Sequence, residues 1–173
     1  MNLLMCIESS ATPYGVVLAV DGEVVFDSTT VETLANLKDV AQLAQYAFDA
    51  TDYSPRQLRQ IAVNCGPGGT SAIRAGVSFA NSLAYSLKIP VADFNIFELL
   101  GFEGERHHHL PVLTTVKSIK GNAYVGWYEN GAVQKTAYGS MAETVQSVVG
   151  DHQEWLVAGA HRTQIIELFP NCK

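Results

Sequence analysis

The chain has 173 residues, 47% of them apolar, and carries 17 acidic against 11 basic side chains for a formal charge of −6. That is enough for one sizeable core or two small lobes, it gives no reason to expect disorder, and it argues against the broad electropositive face that direct, strong RNA binding needs. Cys6, Cys65 and Cys172 are dispersed, odd in number and free of C-x-x-C spacing, so they read as reduced thiols.

The opening run Met1 to Ile7 is too short, and lacks the basic lead, for a signal peptide. No later stretch approaches membrane-spanning length, so a cytoplasmic protein with no membrane contact is expected. Leu3–Ile7, Val16–Val20 and Glu23–Phe26 read as three strands of an antiparallel meander, with Glu8 to Gly15 as the first turn and Asp21-Gly22 as a hairpin turn. From Leu34 to Ala50 the pattern is helical: Leu34, Leu37, Ala41, Ala44 and Phe48 form one stripe, and Val40, Leu43 and Ala47 a second. An arc that wide asks to be covered on two sides.

Ser54-Pro55 opens a short helix, and Ile61 to Cys65 is a buried strand running into Gly66-Pro67-Gly68-Gly69. A second long helix spans about Thr70 to Leu87, with one stripe of Ile73, Val77, Ala80, Ala84 and Leu87 and another of Ala72, Gly76, Phe79 and Leu83. Ile89–Ala92 is a short strand and Asn95–Gly101 a short helix. The charged, histidine-rich stretch Gly101 to His109 marks a lobe boundary, dividing the chain into 1–102 and 103–173. Pro111–Val116, Ala123–Glu129 and Ala132–Tyr138 are strands, the last two joined by Asn130-Gly131. A helix from Ser140 to Val149, a strand Glu154–Ala158 and a helix from Ala160 to Phe169, closing near Pro170, complete the chain. The order meander, then helices, occurs twice.

The loop Gly66, Pro67, Gly68, Gly69, Thr70, Ser71 precedes a helix, where backbone N–H groups can cradle a phosphate. It lacks the lysine of a P-loop and has Ser71 where a dinucleotide loop needs glycine, so a plain strand-to-helix turn competes with an anion site. Glu8, Ser9 and Ser10 at the first turn could hold a hydrated metal ion and phosphate, or form an ordinary polar turn; one carboxylate is insufficient for magnesium. His107, His108 and His109 are consecutive and cannot all face one ion from regular structure, and His152 and His161 have no paired-histidine spacing. No G-x-S-x-G elbow or activated cysteine is present. The sequence therefore offers no catalytic residue, no metal ligand set and no cofactor site. Arg74 can snorkel, pair with an acid, or pair across an interface.

The run Cys65-Gly-Pro-Gly-Gly-Thr-Ser-Ala-Ile-Arg-Ala-Gly-Val-Ser78, continuing through Leu83-Ala84-Tyr85 to Ile89-Pro90-Val91, resembles the G-P-G-S-F-T-G-L-R-I-G signature of the TsaB/YeaZ family. So does Ile7-Glu8-Ser9-Ser10 followed by a hairpin, and the similarity extends through the strands up to Tyr128. The resemblance implies an α/β fold of the actin/sugar-kinase/Hsp70 (ASKHA) class. It would have two related lobes, each with a five-stranded mixed sheet flanked by helices, the second lobe shortened here.

Members of that family are inactive relatives of TsaD, once grouped with M22 peptidases, and this chain lacks the paired histidines with which TsaD-type proteins hold metal. The resemblance thus implies a non-catalytic subunit that docks a TsaD-type catalytic subunit. It would support threonylcarbamoylation of adenosine 37 in tRNA, recruit a TsaE-type ATPase through the complex, touch tRNA only indirectly and form a homodimer when alone. The docking surface it implies is the helix pair, with Leu37, Ala41, Ala44, Phe48, Ala72, Gly76, Phe79, Ala80, Leu83 and Ala84. The segment Glu8, Ser9, Ser10, Gly66, Gly68 and Gly69 would be a vestigial phosphate loop. Glu8 in place of the family's aspartate and Gly69-Thr70 in place of Ser-Phe depart from the pattern. Alternatives are a nucleotide-binding ATPase or phosphotransferase of the same fold, or a divergent paralogue acting as a homodimer.

Overall fold

The computed structural model describes residues 1–169 and 172–173, so the helix stop expected at Pro170 lies outside the described residues. The chain divides into two compact units, Met1–Phe94 and Asn95–Lys173. The boundary expected after residue 102 instead falls within a helix.

In the first unit, β1 (Leu3–Glu8), β2 (Gly15–Val20) and β3 (Glu23–Asp27) form the meander, with β4 (Leu58–Asn64) and β5 (Val91–Phe94) running parallel to β1. The sheet order is β3-β2-β1-β4-β5. The Asp21-Gly22 hairpin has φ +50° and +93°, the positive pair that a two-residue turn matched to strand twist requires. Strand β1 alternates as its sequence suggests: Leu3, Met5 and Ile7 are fully buried while Leu4, Cys6 and Glu8 are half-buried. Leu18, Leu43, Ala47, Ile61, Val63 and Ala80 complete that core.

Helix α1 covers Val40–Asp49, shorter than the expected Leu34 to Ala50. Asp39 sets the start, its Oδ1 accepting from Ala41 N at 2.9 Å and Gln42 N at 3.1 Å. The residues before it make two 3-10 turns, Ser28–Thr30 and Glu32–Leu34, and Leu34 still reaches the core from there. Helix α2 spans Thr70–Leu87 as expected and ends at Lys88 in the left-handed region.

The second unit opens with α3 (Ile96–His108), where a seven-residue helix followed by a linker was expected. Asn95 and Glu98 cap each other: Glu98 N donates to Asn95 Oδ1 at 2.8 Å, and Asn95 N to Glu98 Oε2 at 3.4 Å. The charged residues beyond Gly101 do not break the helix, because Glu103, Arg106, His107 and His108 lie exposed on its outer side. Strands β6 (Val112–Lys117), β7 (Asn122–Glu129), β8 (Ala132–Ser140) and β9 (Leu156–Gly159) make a sheet of order β8-β7-β6-β9. Strands β6 and β9 are parallel and the other pairs antiparallel.

Where five strands are implied for this unit, the described residues form four, with one further parallel bridge between Trp155 and Cys172. Helices α4 (Met141–Val149) and α5 (Arg162–Leu168) complete the unit. Its main core gathers Leu113, Val125, Trp127, Val145, Trp155 and Ile165. Helix α3 is tied to the β7–β8 turn: Glu105 Oε1 accepts from Asn130 N at 2.7 Å, and its Oε2 from Gly131 N at 2.9 Å. No helix among the described residues is long and apolar enough to cross a membrane.

Candidate functional site

Ile7 pairs with Val63 across the parallel β1–β4 ladder, so Glu8 and Asn64 emerge side by side at the carboxyl ends of the two strands. That is where open α/β sheets gather ligands. Glu8 Oε1 accepts from Ser10 N at 2.6 Å and from Ser10 Oγ at 2.5 Å, and its Oε2 accepts from Asn64 Nδ2. Asn64 also donates to Ser10 Oγ at 3.1 Å, and its Oδ1 takes the N–H of Gly66 at 2.8 Å. Gly69 N donates to Ser10 O at 2.8 Å, and Ser9 Oγ to Ala72 O in the first turn of α2 at 2.9 Å. Ser9 and Asn64 are fully buried and Ser10 nearly so.

The residues expected to form a phosphate loop are thus brought together, and they are occupied with one another. Both carboxylate oxygens of Glu8 are bonded, and two of the loop's N–H groups point into the protein. Close packing reinforces this: a Cβ on Gly68 would lie 2.5 Å from Ser10 O, so only glycine lets the loop approach the β1–β2 turn. The arrangement is a brace between β1, β4 and α2. Asn64, its centre, escaped sequence reasoning. The signal was a polar residue closing the apolar strand Ile61-Ala62-Val63 before a glycine loop.

Burial corrects the docking stripe. Ala44, Phe48, Gly76, Ala80 and Ala84 are buried against the first unit's own sheet, so they are not free to meet a partner. Leu37, Ala72, Phe79 and Leu83 are half-buried, and Ala41 is exposed. The open face of α2 instead carries Ser78, Ser82 and Tyr85, the tyrosine 88% exposed, and α1 shows Tyr46. Arg74 is exposed and makes no ion pair among the described residues.

The described residues contain no group of three or more His, Cys, Asp or Glu side chains placed to hold a metal ion. His107 and His108 sit in the last turn of α3, where His107 and Arg106 each pair with Glu103 at 3.5 Å; His109 follows in the left-handed region. The cysteines are free: Cys65 is exposed, Cys6 half-buried and Cys172 buried. Burial pushes the Cys6 and Cys172 thiols up, and burial followed by the Asp93 carboxylate does the same at Cys65.

A family model described as "TsaD: tRNA N6-adenosine threonylcarbamoyltransferase" matches residues 35–168. The chain belongs to this family. It is 34% identical over 86 residues, 49% of its length, to the tRNA threonylcarbamoyladenosine biosynthesis protein TsaB of Bacillus subtilis, and that match spans 37% of the relative. A solved structure of YeaZ from Pseudomonas aeruginosa superposes with a TM-score of 0.74 at 18% identity, over 98% of this chain and 81% of that one. A Bacteroides thetaiotaomicron protein with actin-like ATPase fold and unknown function superposes with a TM-score of 0.52 at 10% identity, over 99% and 90% of the two chains. The chain spans less than half the length of the curated relatives it matches, and its fold is the actin-like fold of the solved structures.

Proposed function

We propose that this TsaB/YeaZ-type chain is a non-catalytic subunit that pairs with a TsaD-type catalytic subunit and supports threonylcarbamoylation of adenosine 37 in tRNA. The observation that carries the reading is the state of the brace. Glu8 is saturated by Ser10 and Asn64, and the Gly66 and Gly69 N–H groups are spent on Asn64 and Ser10. A loop committed in this way stiffens a sheet and is poorly placed to cradle a nucleotide's phosphates. The acid excess fits a subunit that meets tRNA only through its complex, working in the cytoplasm.

On this reading the docking surface is the open side of the helix pair. It takes in Ala41, Tyr46, Ser78, Ser82 and Tyr85, bordered by Leu37, Ala72, Phe79 and Leu83. A specific interface there would bury at least ~1,000 Å² in total. A TsaE-type ATPase would join through the complex, and without its partner the same surface would pair two copies of the chain.

The test is co-purification with the TsaD-type protein of the same organism, with mass read by light scattering with and without the TsaE-type protein and ATP. A stoichiometric complex is expected. A chain that stays apart from the TsaD-type protein, or that alone binds ATP with magnesium, would overturn the reading in favour of a nucleotide-binding relative or a divergent paralogue.

A further inference from the structure

The second unit holds a cavity of about 550 Å³ between the C-terminal half of α3 and the β7–β8 turn. Phe102, Leu110 and Pro111 supply its apolar wall, Glu105 and Arg106 line it from α3, and Tyr128 lines it from β7. That volume is in the range of small-molecule sites. Neither the brace nor the helix pair draws on it, since both lie in the first unit. Tyr128 is the member its surroundings leave unexplained. It is 3% exposed, and it lies so close over Gly101 that a Cβ on that glycine would overlap the tyrosine ring. Yet its hydroxyl has no hydrogen-bond partner among the described residues and is not sealed off from the cavity. Buried polar groups are almost always bonded, so a free hydroxyl at a cavity wall points to a ligand.

Electrostatics selects the sign of that ligand. Burial, then the Glu105 and Glu98 carboxylates, push the Tyr128 phenol's pKa up, so negative charge is disfavoured at its oxygen. Glu105 keeps its own charge, because the hydrogen bonds it accepts from Asn130 and Gly131 come from uncharged amides. Helix α3 also ends here. His109 N closes onto Glu105 O at 2.8 Å, and the carbonyls of Arg106, His107 and His108 accept no hydrogen bond among the described residues. A helix C-terminus of this kind carries partial negative charge and favours a cation. Arg106 is already engaged: its Nη2 lies 3.5 Å from Glu103 Oε1, and its guanidinium stands 5.8 Å from the centroid of the Phe102 ring.

We propose that this cavity binds a small alkylammonium ion, with its apolar chain against Phe102, Leu110 and Pro111 and its charged nitrogen donating to the Tyr128 hydroxyl oxygen in the field of Glu105. The site lies wholly within the second unit, and the proposal is independent of pairing with a TsaD-type subunit. An apolar wall alone would take a neutral chain as readily. The phenol oxygen, the carboxylate and the helix end together are what make the charged nitrogen the preferred head group.

The test titrates the full chain with n-pentylammonium and, as size-matched controls, 1-pentanol and pentanoate, following the Gly131 amide and the Tyr128 ring by NMR. Saturable shifts of both are expected with pentylammonium, at an affinity about tenfold above that of pentanol, and no saturation with pentanoate. Tyr128→Phe keeps the ring over Gly101 and removes only the hydroxyl. It should leave the melting temperature in place and weaken pentylammonium binding about tenfold. Pentanol bound as tightly as the amine, pentanoate bound at least as tightly, or no saturable shift with the amine would each overturn the proposal in the unmodified chain. Unchanged affinity in a folded Tyr128→Phe would take the hydroxyl out of the site and overturn the placement of the ligand.

Discussion

Asn64 holds Glu8 across the β1–β4 ladder, its amide nitrogen donating to Glu8 Oε2 while its amide oxygen takes the N–H of Gly66 at 2.8 Å. Asn64→Ala removes both bonds at a fully buried position and leaves a buried N–H without a partner. The expected cost is about 2–3 kcal/mol, seen as a lower urea midpoint with unchanged slope. An unshifted midpoint would mean that the brace does not stabilise the first unit.

Gly76 faces Ser9, and a Cβ there would overlap the Ser9 hydroxyl while standing 3.3 Å from the Ser9 Cβ. Gly76→Ala should therefore lose about 1–3 kcal/mol through overpacking. Adding Ser9→Ala removes the obstructing oxygen, so the double variant should be more stable than the sum of the single losses implies. Strict additivity in thermal melts would show that the two residues do not compete for this space.

The two faces of α2 should separate folding from association. Ala80→Asp puts an unpaired carboxylate at a position with no exposure and should destabilise the chain by about 4 kcal/mol or more. Tyr85→Glu, at a position 88% exposed, should leave the melting temperature in place and weaken the proposed complex with a TsaD-type subunit. An unchanged affinity for Tyr85→Glu would move the docking surface away from this face.

Cys65 should be the thiol that reagents reach first, since Cys6 is half-buried and Cys172 buried. Desolvation and then Asp93 hold its thiol above the ordinary range, so less thiolate is present at pH 8 than in a free peptide. Asp93→Asn removes the negative charge, lowers the thiol's pKa and should speed iodoacetamide alkylation a few-fold at that pH. Equal rates in the two proteins would show that Asp93 does not act on the thiol.

What the sequence made legible was local. The hairpins at Asp21-Gly22 and Asn130-Gly131 were readable because each dipeptide accepts positive φ at both positions, and α2 because its periodicity runs unbroken for five turns. Helix α1 was overextended because Leu34 and Leu37 continue its spacing from outside the helix; Asp39 decides the start, and a cap outranks a stripe. The charged stretch after Gly101 reads as a linker in sequence, whereas the Asn95–Glu98 box and the exposed charged face make Ile96–His108 one continuous surface helix. The double stripe of α2 showed that two sides are apolar without showing which one the sheet takes. That depends on β1 and β4, and it placed Ala80 and Ala84 inside. The role of Asn64 was invisible for a related reason, since its partners Glu8 and Ser10 are more than 50 residues away along the chain.

The Glu105 tie to the β7–β8 turn also bears on how the molecule ages. Asn-Gly is the dipeptide most prone to deamidation, because the glycine nitrogen can swing onto the asparagine side chain and close a succinimide ring. Here the Gly131 nitrogen is engaged by Glu105 Oε2 at 2.9 Å, and the Asn130 nitrogen by the other carboxylate oxygen. The hairpin thus keeps its best turn-forming pair while that pair is restrained from the ring closure that would erode it, and the chemical shelf life of the second unit rests on one glutamate of α3.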